Sequence, residues 1–402
     1  MTRPRGPGGW AQGAALATAA GSLGVAAAAA GGLDLAHRIL AAFSIAPAAA
    51  VAVLAWWWYP RLRVPAYATL ALLLAAAVSG AIEAATGGTA SGVHLALAAA
   101  ASATACWALV RAGLPSMPEG SVGDHIVLTK PRIMALLLLT AACAVIAGGH
   151  RLPAGSLFLA TMAGLALGCG GAAALNHVLD ADLDRRMRRT ASRPVAAHRV
   201  SEAHAAEFGV ALSAASFVLL AAAVNVVAAA LCLFGNLFYV LIYTLVLKRR
   251  TAQNIVIGGA AGAVPPLVGW AAATGSIDAG ALLLFAIVFL WTPPHFWSLA
   301  LLLRRDYERA EVPMLPVTEG ERRTASGILR YTWALIAATL ALAPAAGLGL
   351  VYLVPVTIAG LLFAALALAV WRQPSPAAAG RLFKYSLLYL ALVFAAVAIA
   401  AV

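Results

Sequence analysis

The chain has 402 residues, 63% of them hydrophobic and 10% charged, with a mean hydropathy of +0.91 and a net charge of +12. A soluble domain needs far more charge to cover its surface, so a water-soluble globular class is excluded. Nucleic acid is not indicated either, because the basic residues cluster at the ends of apolar stretches, as membrane topology requires. Those stretches are about 18–24 residues long, rich in Ala, Leu and Gly and free of strand-like alternation, so the fold class is an all-α membrane protein in a lipid bilayer.

Thirteen spans are predicted, at roughly 10–31, 38–58, 65–85, 92–111, 132–149, 154–178, 203–223, 225–247, 254–274, 279–300, 327–344, 347–371 and 382–401. The first has the basic start of a signal peptide, but its apolar stretch is long for that role and predicts an anchor. The polar stretch 112–129, with Pro115 and Pro118, reads as a linker. It divides a four-span unit, residues 1–111, from a nine-span unit, residues 130–402. Assigning alternate loops to opposite sides puts all of the 27 Lys and Arg except Arg38 and Arg151 on one side. That side is predicted to be cytoplasmic, in a plasma or inner membrane. Residues 56–59 (Trp-Trp-Trp-Tyr) read as an interfacial aromatic belt. Cys106, Cys143, Cys169 and Cys232 lie inside apolar stretches without metal-ligand spacing and read as buried small hydrophobes.

The sixth span ends with Asn176, Asp180 and Asp184 at intervals of four. On a helix these share one stripe about 12 Å long, while Asp182 points away from it. An amide and two carboxylates on one face form a hard-oxygen array suited to Mg²⁺ bridging to phosphate. Arg185, Arg186, Arg188, Arg189 and Arg193 follow and can hold phosphate oxygens directly. Topology alone explains the arginines, but not polar groups at the end of an apolar span, where they are costly.

The tenth span carries Trp291, Thr292, Pro293, Pro294, His295, Phe296 and Trp297, and Asp306 follows on the same predicted side as Asp184. Two acidic helix ends facing one side can clamp a diphosphate through divalent ions. An allylic diphosphate ionises when its leaving group is so stabilised, and the carbocation must be kept from water near aromatic faces. Trp291, Phe296, Trp297, Tyr239 and Tyr243 are candidates for those faces.

The pattern Asn-x3-Asp-x3-Asp-Arg at 176–185 resembles the first diphosphate motif of the UbiA-type intramembrane prenyltransferases. Residues 128–132, 187–194, 248–259, 265–270, 291–296 and 306–316 sharpen the resemblance, which covers about 120–402, to the protohaem IX farnesyltransferase (haem O synthase) family. It implies a nine-helix bundle around a cytoplasm-facing cavity. The implied reaction moves farnesyl from farnesyl diphosphate to a vinyl group of haem b, with water supplying a hydroxyl. On matching positions it implies Asn176, Asp180 and Asp184 as the first metal–diphosphate motif and Asp306 as part of the second. Lys130, Arg185, Arg189, Arg193 and Lys248 become diphosphate contacts, and Asn254 and His295 substrate contacts. His295 either meets haem iron or a propionate, or caps its helix at the interface. The wider superfamily often repeats Asp four residues into the second motif; Ala310 stands there, so Glu308 or Glu311 would have to assist Asp306.

The first four spans resemble one four-helix half of the haem A synthase family. His37 and His94 each open an inward-running span, which places them near the outer face at matched depth, where two imidazoles can ligate haem iron axially. Haem b is thus a candidate cofactor of that unit, and a haem A synthase an implied partner. Two other classes remain open: prenyl transfer to another aromatic or quinone acceptor, and a non-enzymatic haem-binding assembly factor.

Overall fold

The computed structural model describes residues 120–402 together with Thr69, Ala71 and Leu72. The first four predicted spans, the aromatic belt at 56–59, Cys106, His37 and His94 lie outside the described residues. A short helix, α1 (Val122–Leu128), occupies the end of the stretch read as a linker, so that part is folded and not extended. Ser121 caps it: the Ser121 hydroxyl accepts from the Asp124 amide, and Asp124 accepts from the Ser121 amide.

Nine long apolar helices follow among the described residues, each able to cross a membrane by length and composition. They are α2 (Pro131–Gly149), α3 (Gly155–Leu179), then after a short α4 (Ala181–Arg186) α5 (Glu202–Ala223) and α6 (Val226–Leu237). The α6 span continues as a π-helical segment, π1 (Phe238–Leu247). Next come α7 (Asn254–Thr274) and α8 (Ala279–Leu302), then short helices α9 (Arg304–Arg309) and α10 (Leu315–Thr318). The bundle ends with α11 (Gly320–Ala345), α12 (Leu350–Arg372) and α13 (Pro376–Ala400). Each of the nine predicted C-terminal spans coincides with a long apolar helix; the eleventh and thirteenth begin about two turns earlier than expected, because charged residues (Glu321, Arg322 and Arg323 in one, Arg381 in the other) lie inside the helix where the hydropathy pattern stops short.

Successive long helices pack on one another, and α13 returns to α2, so the bundle closes on itself. The α7 helix is the most enclosed and also packs extensively on α2. Lipid offers helices no hydrophobic drive to associate, so close approach depends on small residues and interhelical hydrogen bonds. Two contacts show this. A β-carbon at Gly171 of α3 would collide with the Ser213 hydroxyl and the Gly209 carbonyl of α5, and one at Gly269 of α7 would collide with the Ala141 carbonyl of α2. Across α3 the Ser216 hydroxyl donates to the Gly164 carbonyl at 2.6 Å, and the Asn236 amide donates to the Gly168 carbonyl at 3.0 Å. Cys143 and Cys232 are buried and Cys169 half-buried, all unpaired thiols, as the apolar setting predicts.

Both central helices carry a Pro-Pro pair, Pro265-Pro266 in α7 and Pro293-Pro294 in α8. Each proline removes an amide donor, and such gaps are tolerated where neighbouring helices enclose them.

Gly171→Val should lower the thermal unfolding midpoint of the detergent-purified protein by several degrees, through overpacking of about 1–3 kcal/mol. Gly262→Ala, where a β-carbon meets open space, should hold or raise it. Equal midpoints for the two variants would contradict the close approach of α3 and α5.

Candidate active site

The α3 helix breaks at Asp180, whose backbone (φ −98°, ψ 3°) leaves the helical range, and resumes as α4. The break keeps the register: the Asp180 amide donates to the Asn176 carbonyl at 2.9 Å, and the Asp184 amide to the Asp180 carbonyl at 2.8 Å. Asn176, Asp180 and Asp184 therefore share one buried face, with 2%, 0% and 2% exposure. Asp182 points the other way and pairs with Arg249 at 2.7 Å on the surface, where that guanidinium holds its carboxyl below the usual carboxylate range.

Ionised carboxylates inside an apolar bundle need paired charge. Lys248 and Arg193 supply it by direct ion pairs, and Lys130 joins them through the Asn176 amide. Lys248, just beyond π1, reaches Asp180 Oδ2 at 2.5 Å. Arg193, in the loop after α4, places Nη1 at 2.8 Å from both oxygens of Asp184. Lys130, immediately before α2, donates to Asn176 Oδ1 at 2.5 Å and lies 3.5 Å from the Tyr239 hydroxyl. Lys130 holds a left-handed backbone (φ 52°) ahead of Pro131, a conformation unusual for a residue other than glycine. Burial, then repulsion from Arg193 and Lys248, pushes its ammonium down to about 7, with Asp180 and Asp184 opposing.

The other predicted basic contacts are less engaged. Arg185 and Arg189 are exposed, and among the described residues neither hydrogen bonds to the buried stripe. Arg189 does act on the Tyr307 hydroxyl. Burial raises that hydroxyl's pKa above its ordinary value, and the charges of Arg189, Lys248 and Arg193 oppose the rise. Tyr307 is buried in α9, so the second acidic segment lies beside the cation cluster.

Asp306, also in α9, is half-buried, and no ion pair engages it among the described residues. Of its two candidate helpers, Glu308 is bound to Arg304 at 2.7 Å on the outer surface. Glu311 turns toward the first motif instead, with its carboxylate 3.6 Å from Arg186. Ala310 is fully enclosed where the wider pattern places a carboxylate.

Asn254 opens α7 and ties it to the segment beyond α9: its Nδ2 donates to the Thr251 carbonyl at 2.6 Å and the Pro313 carbonyl at 3.5 Å. Its Oδ1 is buried without a partner. His295 lies inside α8, which continues to Leu302, so the reading of it as an interfacial helix cap is incorrect. Its ring is stacked between Trp291 (4.3 Å) and Phe383 (4.8 Å), and Nδ1 meets the Ser386 hydroxyl at 2.7 Å. Tyr239 and Tyr243 stack at 5.4 Å on π1 beside Lys130. Trp297 packs edge-on against Tyr331 in the core.

Among the described residues no three His, Cys, Asp or Glu side chains come close enough to form a metal cage. The donor set nevertheless fits a hard cation shared with phosphate: Asp180 Oδ1 is buried with no partner beside an amide and a second carboxylate. Thr244 was not foreseen. Its hydroxyl accepts from Asn176 Nδ2 at 3.0 Å, but a threonine in an apolar span ordinarily bonds its own backbone and gives no sequence signal.

The description "UbiA prenyltransferase family" matches residues 136–398. The chain is 48% identical over 288 residues to a protoheme IX farnesyltransferase of Roseiflexus sp. (strain RS-1), covering 71% of this chain and 53% of that protein. It thus spans about half the length of that curated relative and of several others like it. It is 46% identical over 289 residues to protoheme IX farnesyltransferase 1 of Saccharopolyspora erythraea, covering 71% of this chain and 92% of that protein. A solved structure of digeranylgeranylglyceryl phosphate synthase shares the fold, with a TM-score of 0.60 at 16% identity over 70% of this chain and 98% of that one. With nine spans, the stripe on α3 and relatives matched along nearly their whole length, the chain belongs to the UbiA prenyltransferase family.

Proposed function

We propose that the chain transfers farnesyl from farnesyl diphosphate to a vinyl group of haem b, giving haem O. The observation that carries this reading is the buried Asn176–Asp180–Asp184 face, matched by Lys130, Arg193 and Lys248 from three other elements. Its support for haem as acceptor is the similarity to protoheme IX farnesyltransferases.

In this reading Asn176, Asp180, Asp184 and Asp306 hold Mg²⁺ against the diphosphate. Mg²⁺, when bound, supplies the charge that stabilises the departing diphosphate. Lys130, Lys248 and Arg193 bind its oxygens, exchanging their carboxylate and amide partners for phosphate. Tyr239 and Tyr243 present stacked ring faces beside this pole, where positive charge on the allylic carbon is sheltered from water. Arg185 and Arg189, at the exposed rim, steer the anionic substrate. Asn254, through its unpartnered Oδ1, and His295, in its aromatic stack, contact substrate.

The site faces the cytoplasm, supported by the concentration of Lys and Arg on that side of the sequence. His37 and His94 ligate a separate haem b in residues 1–111, and a haem A synthase receives the product; both rest on sequence resemblance.

Asp180→Asn and Asp184→Asn should each cut turnover of farnesyl diphosphate and haem b by at least about a hundredfold, measured on the folded fraction recovered by size exclusion, because each also loses a buried ion pair. Asp182→Asn, off the stripe and on the surface, should stay within about twofold. Comparable turnover in all three would remove the stripe from the chemistry.

Mass spectrometry of haem recovered from the full chain incubated with Mg²⁺, farnesyl diphosphate and haem b should show the farnesylated, hydrated product. Haem recovered unchanged, while farnesyl diphosphate is consumed with a quinone precursor, would replace haem by another acceptor. Haem absorbance that survives His37→Ala with His94→Ala would exclude that pair as ligands.

A further inference from the structure

The π1 segment directly precedes Lys248 and faces the first acidic motif. Such wide turns are rare and recur at functional sites. Here the wide turn changes what one threonine can reach. Elsewhere in the bundle, helical threonines donate to a carbonyl three or four residues back, as Thr140 does to Leu137, Thr161 to Leu157, Thr292 to Val288 and Thr332 to Ile328. Thr244 instead donates to the carbonyl of Tyr239, five residues back, at 2.9 Å.

A hydroxyl has one proton. Because Thr244 commits it to Tyr239, its oxygen can only accept toward Asn176, and Asn176 must offer Nδ2 there, at 3.0 Å. Asp180 Oδ2 also accepts from Nδ2, at 2.8 Å. The ammonium of Lys130 can only donate, so Oδ1 of the amide faces it. All three partners agree on one orientation of a side chain whose two ends are nearly the same shape. Thr244 is the one neutral member, and it is buried at 1% exposure.

We propose that Thr244 is a positioning residue for diphosphate binding: held by the π-helical turn, it locks the Asn176 amide so that Oδ1 faces the cation pole of the site. This rests on the reading of Asn176, Asp180 and Asp184 as the diphosphate–metal face. Without the lock the amide can turn over, presenting Nδ2 to Lys130 and to any incoming cation, where a carbonyl oxygen is needed. Mg²⁺-dependent binding of the anion then weakens while the helices stay in place.

The test is calorimetric binding of farnesyl diphosphate to the full chain in nanodiscs, at fixed Mg²⁺ and without haem. Thr244→Val should weaken binding about tenfold, the scale of one buried hydrogen bond. Thr244→Ser, which keeps the hydroxyl, should restore it to within about twofold. On an Asn176→Ala background, Thr244→Val should add less than about twofold, because its effect passes through the amide. If Thr244→Val does not accumulate as folded protein, Thr244→Ala takes its place. Parent-like binding by the hydroxyl-free variant, or a full tenfold loss on the Asn176→Ala background, overturns the positioning role. Asp180→Asn separates the two levels. If it loses binding while Thr244→Val does not, only the role of Thr244 falls. If Asp180→Asn binds like the parent, the diphosphate face falls and the role of Thr244 with it.

Discussion

The arrangement of this bundle depends on two carboxylates buried at the end of a membrane helix. Asp180 and Asp184 lie inside the protein with almost no exposure, on a face that apolar residues surround. Charge in such a place must be matched by opposite charge or hydrogen bonds, at a cost of several kcal/mol per uncompensated ion. The matching groups come from the start of α2, the loop after α4 and the end of π1. Lys248 comes from 68 residues beyond Asp180 and Arg193 from nine beyond Asp184, while Lys130, 46 residues before Asn176, joins through that amide, so the stripe is the point to which these three segments are tied. The pairing leaves one oxygen of Asp180 buried without a hydrogen-bond partner, the observation on which the proposed metal–diphosphate role rests.

The same end of the bundle gathers the second acidic segment. Arg186 approaches Glu311, Arg249 binds Asp182, and Asn254 reaches the Pro313 carbonyl. These contacts join the turns that follow α3, π1 and α8. Two of them are exposed ion pairs of small individual worth, so they set register more than stability. The larger contribution comes from the apolar packing beneath, where Tyr307 and Met314 join the core. In consequence the first and second acidic segments approach each other without a direct carboxylate–carboxylate contact. Ala310 is enclosed by packing and the two nearby glutamates pair with arginines, so of the acidic residues in this segment Asp306 alone makes no ion pair among the described residues.

Backbone irregularity concentrates around the cluster. Lys130 sits in a left-handed conformation, α3 is interrupted at Asp180, and the helix leading to Lys248 widens to a π-turn. Each departs from regular helix where a polar side chain must be aimed inward. Each is also enclosed by neighbouring helices, which is where irregular backbone is tolerated at membrane depth. Such departures store strain that only a packed surrounding can maintain.

Composition and hydropathy alone determined the class, the nine described spans and the side on which charge collects. The spacing 176, 180, 184 placed three side chains on one face, and the i, i+4 hydrogen bonds carry that register across the break at Asp180. These features are local or periodic, and a helix in lipid has few alternatives to its own hydrogen-bonding pattern. The resemblance named Lys130, Arg185, Arg189, Arg193 and Lys248 together as basic residues near the stripe. Which of the many basic residues reach the carboxylates was not legible: Arg185 adjoins Asp184 in sequence yet is exposed, while Arg193 nine residues on makes the pair. The setting of His295 deep in α8, the commitment of Glu308 to Arg304 and the grip of Thr244 on Asn176 were equally hidden. The settings of His295 and Thr244 are decided by what packs opposite, from a segment remote in the chain, whereas Glu308 is taken by its own helix neighbour four residues back; in all three the partner, and not the residue type, decides the role.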